Sequence, residues 1–110
     1  MKIAVPVIQG RVSPHFGRSD YFAFFDIEQG KLKAGERCNP PPHAPGVIPK
    51  WLKEQETDVV ITGGIGPRAL DIFAQYGIKV LTGAPNLEPE ELVRQHLQGT
   101  LALEENICEH

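Results

Sequence analysis

Residues 58–99 constrain the fold most, because short apolar runs there alternate with segments bracketed by proline and glycine. DVVITGG (58–64) is rich in β-branched residues and too short for a helix, the pattern of a strand buried on both faces. GPRALDIFAQYG (66–77) has a proline in its first turn and a glycine at its end, the punctuation of a helix. IKVLTGA (78–84) repeats the strand pattern. EPEELVRQHLQG (88–99) repeats the helix pattern, with early acids that complement the helix dipole and Gly99 as its stop. Strands that alternate with helices imply parallel crossovers, so this half predicts a parallel sheet covered by helices. The remaining tail, TLALEENICEH (100–110), reads as mostly irregular.

The first half has a different grammar. KIAVPVI (2–8) reads as a strand buried on both faces, with Pro6 marking an irregular ladder position or a nearby bulge. YFAFFDIE (21–28) is a second strand with aromatics on both faces. After a turn at Gln29 and Gly30, the weakly alternating KLKAGERC (31–38) is an edge-like third strand, which completes an antiparallel meander. Four prolines in NPPPHAPG (39–46) forbid regular structure and stiffen that loop into an extended arm. Val47, Ile48, Trp51, Leu52 and Gln55 follow at helical spacing, with Pro49 setting the expected start of the regular helix.

These segments predict a single α/β domain over 1–110, a mixed sheet flanked by helices. At 110 residues the chain supports one hydrophobic core, and 41% apolar with 23% charged residues is a globular composition. A formal net charge of −3 argues against a protein built to hold nucleic acid or an acidic membrane. The apolar run at 3–8 is too short to span a bilayer and lacks a secretory pattern, so a cytoplasmic protein is expected, with Cys38 and Cys108 as thiols.

Two stretches suggest chemistry. SPHFG (13–17) sets His15 between a proline and a Phe-Gly pair, on a stiff bend just after the first strand. A fixed backbone benefits a side chain that must reach a ligand, although a plain chain reversal would carry His15 along with it. TGGIGPRA (62–69) joins a strand to a helix. Gly63, Gly64 and Gly66 would let an anion approach the backbone, with Arg68 supplying charge. The nucleotide version of this motif is weakened by Pro67, which lacks an amide, and by the missing carboxylate after the next strand. A structural turn and an anion-accepting rim both remain open.

Imidazole and thiolate donors occur at His15, Cys38, His43, Cys108 and His110, with His96 apart on the last helix. Cys108 and His110 can approach one metal, but no C-x-x-C exists to close a zinc cage. The aspartates are scattered over different elements, and neither G-x-S-x-G nor H-E-x-x-H is present, so a non-catalytic role is expected.

HFGRS (15–19), the Phe-rich partner strand, NPPPHAPG, DVVITGGIGPRAL, GIKVLTG and ENICEH together make the chain resemble the dinitrogenase iron-molybdenum cofactor biosynthesis family. The resemblance implies a five-stranded mixed sheet of ribonuclease H-like topology without nuclease chemistry. It implies binding or carriage of a metal-sulfur cluster, of iron-molybdenum or iron-sulfur type, with His15 as primary ligand. His43, Cys108 and His110 are further candidate ligands, and since such clusters are usually anionic, the glycine loop with Gly63, Gly64, Gly66 and Arg68 would offer the cargo a positive rim. Metallocluster assembly proteins, including an iron-sulfur assembly ATPase, are the implied partners. Two alternatives stand beside it: a metal-free interaction or regulatory module that docks to such an ATPase, and a small-anion or nucleotide site at the glycine loop.

Overall fold

In the computed structural model, which describes residues 1–42 and 44–104, the sheet is built outward from β1 (Lys2–Ile8). Ile3, Ala4, Val5 and Val7 are fully buried, so this strand needs apolar cover on both faces and a partner along each edge. β3 (Tyr21–Glu28) supplies one edge, antiparallel from Lys2↔Asp26 to Val7↔Tyr21. β5 (Val59–Ile61) supplies the other, parallel through Ile3↔Val59 and Ala4↔Val60. β4 (Lys31–Cys38) adds an antiparallel edge beyond β3, and β6 (Lys79–Leu81) adds a parallel one beyond β5, giving the order β4-β3-β1-β5-β6. β2 (Arg11–Val12) folds back on the end of β1 through Val7↔Val12 and Ile8↔Arg11. Among the described residues the sheet thus has six strands rather than the expected five, because a two-residue strand is too short to leave a periodic signal.

Helices cover both faces. α1 (Val47–Glu54) and α2 (Pro67–Tyr76) close one side over Phe22, Phe24, Leu52, Val60 and Phe73. α3 (Pro89–Gln98) closes the other over Ile3, Val5, Val7, Ile61, Leu92 and Val93. α1 begins two residues before Pro49, where the sequence had suggested a start. A proline is tolerated in a first turn because the leading amides have no intrahelical acceptor to lose.

Pro6 causes no break in the sheet. Its carbonyl accepts from the Ser13 amide at 2.8 Å, so this residue's peptide edge faces the bend rather than β3 and no β3 bond is forfeited. The register irregularity lies instead between Asp26 and Ile27, where β3 pairs with β4. Among the described residues no helix is long and apolar enough to cross a membrane.

Candidate functional site at the carboxyl edge of the parallel strands

β1, β5 and β6 run parallel, so the loops that leave them emerge along one edge of the sheet, where open α/β folds form their crevices. The loop after β1 and β2 contains the bend at 13–17. Ser13 is fully buried, and its hydroxyl lies 2.7 Å from the His15 carbonyl, also meets the Arg18 carbonyl, and accepts from the His15 amide at 3.2 Å. The Arg18 amide donates to the His15 carbonyl at 3.0 Å, which closes the turn. Neighbouring side chains then separate. Phe16 enters the core edge-on to Phe22 and Phe73, with ring centroids at 5.9 and 5.4 Å, while His15 is exposed. One buried ring and one buried hydroxyl therefore hold an imidazole out to solvent.

The bend is also bonded sideways. Gly63 donates to the Ser13 carbonyl at 3.1 Å, Gly64 donates to the Pro14 carbonyl at 2.6 Å, and Phe16 donates back to Gly64 at 2.8 Å. Gly83 donates to the Gly63 carbonyl at 2.8 Å, and Glu104 donates to the Gly83 carbonyl at 2.6 Å. Four segments thus lie side by side as rungs of one ladder that continues the sheet past its strand ends. Glycine is required at two of these rungs. A Cβ on Gly63 would stand 2.7 Å from the Pro14 Cα and 2.8 Å from the Ser13 carbonyl, and a Cβ on Gly83, where φ is +73°, would overlap the Glu104 carbonyl.

This ladder takes up part of the loop that the sequence offered as an anion rim. Gly63, Gly64 and Gly66 are all buried, and the first two amides are spent on the bend rather than offered to a ligand. Arg68 is exposed on the first turn of α2 and faces a separate cleft of about 490 Å³, walled by Pro45, Ile48, Pro49, Ala69 and Ile72 and backed by Phe16.

The positive charge beside His15 has another source. A groove of about 430 Å³ is lined by His15, Ser13 and Pro14 together with Gln9, Arg11, Arg18 and Asn86. Arg11 donates from Nη1 to the Asn86 carbonyl at 2.8 Å. The ion pairs among the described residues are Lys33 with Glu28 and Arg94 with Glu90, so neither Arg11 nor Arg18 has a carboxylate partner. Neither arginine stood out in the sequence, although both flank the bend in RVSPHFGR; the signal was cationic residues on either side of a rigid turn.

Of the other predicted ligands, His43, Cys108 and His110 lie outside the described residues. Cys38 is a half-buried free thiol packed against the α1 and α2 core, and His96 is half-buried on α3. Among the described residues no three His, Cys, Asp or Glu side chains converge as a metal cage.

Fold and edge together define a small α/β domain that, among its described residues, offers one imidazole beside two guanidiniums without a carboxylate partner, on loops bonded to one another through their backbones. The profile of the family described as "Dinitrogenase iron-molybdenum cofactor" matches residues 1–99, and the chain belongs to that family. It is 34% identical over 106 residues to an uncharacterized protein of Methanocaldococcus jannaschii, MJ0580, a match covering 92% of this chain and 89% of the relative. Among solved structures it is similar to PH0822, with 35% identity and a TM-score of 0.87 over 96% of this chain and 98% of the other. It is also similar to the apo form of the orange protein from Desulfovibrio gigas, with 27% identity and a TM-score of 0.76 over 96% and 93%.

Proposed function

We propose that the protein binds and carries an anionic metal-sulfur cluster, of iron-molybdenum or iron-sulfur type, at its His15 edge, as a non-catalytic cytoplasmic accessory of metallocluster assembly. The observation that carries this reading is an exposed imidazole on a bend clamped from three sides, by Ser13, by Gly63 and Gly64, and by Phe16. Membership of a family described by the iron-molybdenum cofactor supports the cargo class, and the likeness to a protein solved as an apo form supports a loadable domain. The donor set fits a carrier: one imidazole leaves most positions on a metal free for exchange, whereas a closed cysteine cage retains its cluster.

Cys108 and His110 remain proposed second donors. Glu104 is tied to Gly83 on the same edge, and an extended chain from Glu104 to Cys108 spans at most about 14 Å. Three ladder steps back to the bend cover about the same distance. The order of three antiparallel strands followed by two parallel ones supports the ribonuclease H-like topology.

Anaerobic reconstitution with iron and sulfide, or with the iron-molybdenum cofactor, followed by absorption spectroscopy and metal analysis, tests the proposal. Uptake should fall sharply in His15→Ala. Equal uptake by the variant and the natural protein removes His15 as the ligand.

One observation favours a second reading, a docking module for an iron-sulfur assembly ATPase. Among the described residues, the cleft between the proline arm and α2 is lined almost wholly by apolar groups, with Arg68 as its one charged residue. Capture of the ATPase that survives chelation and the loss of His15 would support that role. A nucleotide at residues 63–66 is disfavoured by the burial of that loop.

A further inference from the structure

We propose that Arg11 and Arg18 form a two-guanidinium clamp that recognises the negative charge of the cargo beside His15, so the groove admits polyanions independently of any metal–imidazole bond. The inference rests on the His15 edge being the cargo site and names how that site selects. Both arginines line the same groove as His15, and none of the described residues lining it is acidic. In a chain with net charge −3, two guanidiniums that share one concavity without a carboxylate partner among the described residues leave their charge available to a ligand.

Both are placed by the backbone. Arg11 is held through Nη1 on the Asn86 carbonyl, and its remaining donors are free for a second acceptor. Arg18 closes the turn that Ser13 locks. The nearest carboxylate in the chain order, Asp20, is occupied by the Gln9 amide at 3.0 Å and does not line the groove. Guanidinium recognises tetrahedral oxyanions and thioanions through paired N–H donors, a geometry that the ammonium of lysine does not reproduce.

The test is an amide-shift titration of the whole chain with sodium molybdate at fixed ionic strength, in the natural protein and in Arg11→Gln, Arg18→Gln, the double variant, Arg68→Gln and Lys33→Gln. Saturable shifts should gather at residues 9–18 and at Asn86. Each groove variant should weaken binding about threefold to tenfold, and the double variant more than about tenfold. Lys33→Gln removes the same unit of charge far from the groove and should change affinity less than about twofold. Shifts centred on residues 66–69, or equal weakening by Lys33→Gln and by the groove variants, overturn the clamp. No cluster enters this titration, so its result is separate from the carrier reading. Arginine-dependent molybdate binding without cluster uptake sinks the carrier alone, and cluster uptake that ignores both arginines sinks the clamp alone.

Discussion

Replacing Gly63 by alanine tests whether the ladder holds the His15 bend in place. The added Cβ would stand 2.7 Å from the Pro14 Cα, where carbons normally sit about 3.5–4.0 Å apart. The loop and the bend must therefore separate by about 1 Å. Neither side yields easily, because the obstructing atoms are backbone, and the bend is tied by the buried Ser13 hydroxyl and the Phe16 ring. Such a shift breaks two or more of the bonds Gly63–Ser13, Gly64–Pro14 and Phe16–Gly64, at a net ~0.5–1.5 kcal/mol each. Residual overlap adds ~1–3 kcal/mol, and the stiffer unfolded chain returns ~0.4–1 kcal/mol. The net loss should be about 1–6 kcal/mol, a fall in melting temperature of roughly 4–25 °C for a domain of this size. Trp51, the single tryptophan, packs edge-on to Phe22 and Phe24 at 5.5 and 5.7 Å and provides the fluorescence signal for urea unfolding. An unfolding midpoint within error of the natural protein, with an unchanged slope, refutes close packing as the reason for glycine at this position.

Three more outcomes follow from the same edge. Gly83→Ala meets the tail rather than the core, so residues 101–104 should detach and become open to proteolysis while global stability falls by only ~1–2 kcal/mol, the left-handed backbone penalty. Ser13→Ala should cost ~1–2 kcal/mol by leaving the His15 amide and the Arg18 carbonyl without their hydroxyl. It should also lower cluster uptake more than its stability loss accounts for, measured by reconstitution at a temperature where both proteins are folded. Thr62→Val should be neutral or stabilising by up to ~1 kcal/mol in thermal unfolding, because the Thr62 hydroxyl is buried with no partner among the described residues.

The parallel half of the fold was legible because Pro67, Pro89, Gly77 and Gly99 mark helix ends with chemistry that hardly depends on tertiary contacts. The meander was legible for a similar reason, since Tyr21 to Glu28 is too aromatic on both faces to lie anywhere but between layers. The site was legible only in part. His15 was identified by its stiff flanks, but burial and bonding of the glycine loop arise from segments 50 and 20 residues away, which no local pattern encodes. TGGIGPRA reads the same whether its amides face an anion or the Ser13 and Pro14 carbonyls. Arg11 and Arg18 escaped notice because an isolated surface arginine usually pairs with a nearby carboxylate, and only three dimensions reveal that these two share a groove with no carboxylate partner among the described residues.

Rigidity and weak ligation have a joint consequence for transfer. A mobile loop that closed over a cluster would lose backbone entropy of ~1–2 kcal/mol for each residue it ordered, and would regain it on opening, which couples release to a conformational step. Here the ladder from Ser13 to Glu104 orders those segments before any cargo arrives. On the proposed carrier reading, release would depend on exchange at one imidazole and on the screening of two guanidiniums, both open to a receiving protein that brings its own thiolates and positive charge. Transfer should accordingly speed up with competing ligand and with salt, and should show no lag for loop opening. A limiting transfer rate that stays the same for acceptors and competing ligands of different chemistry, while both arginines and His15 are intact, would instead require a gated step, which this edge of the molecule has no free segment among the described residues to supply.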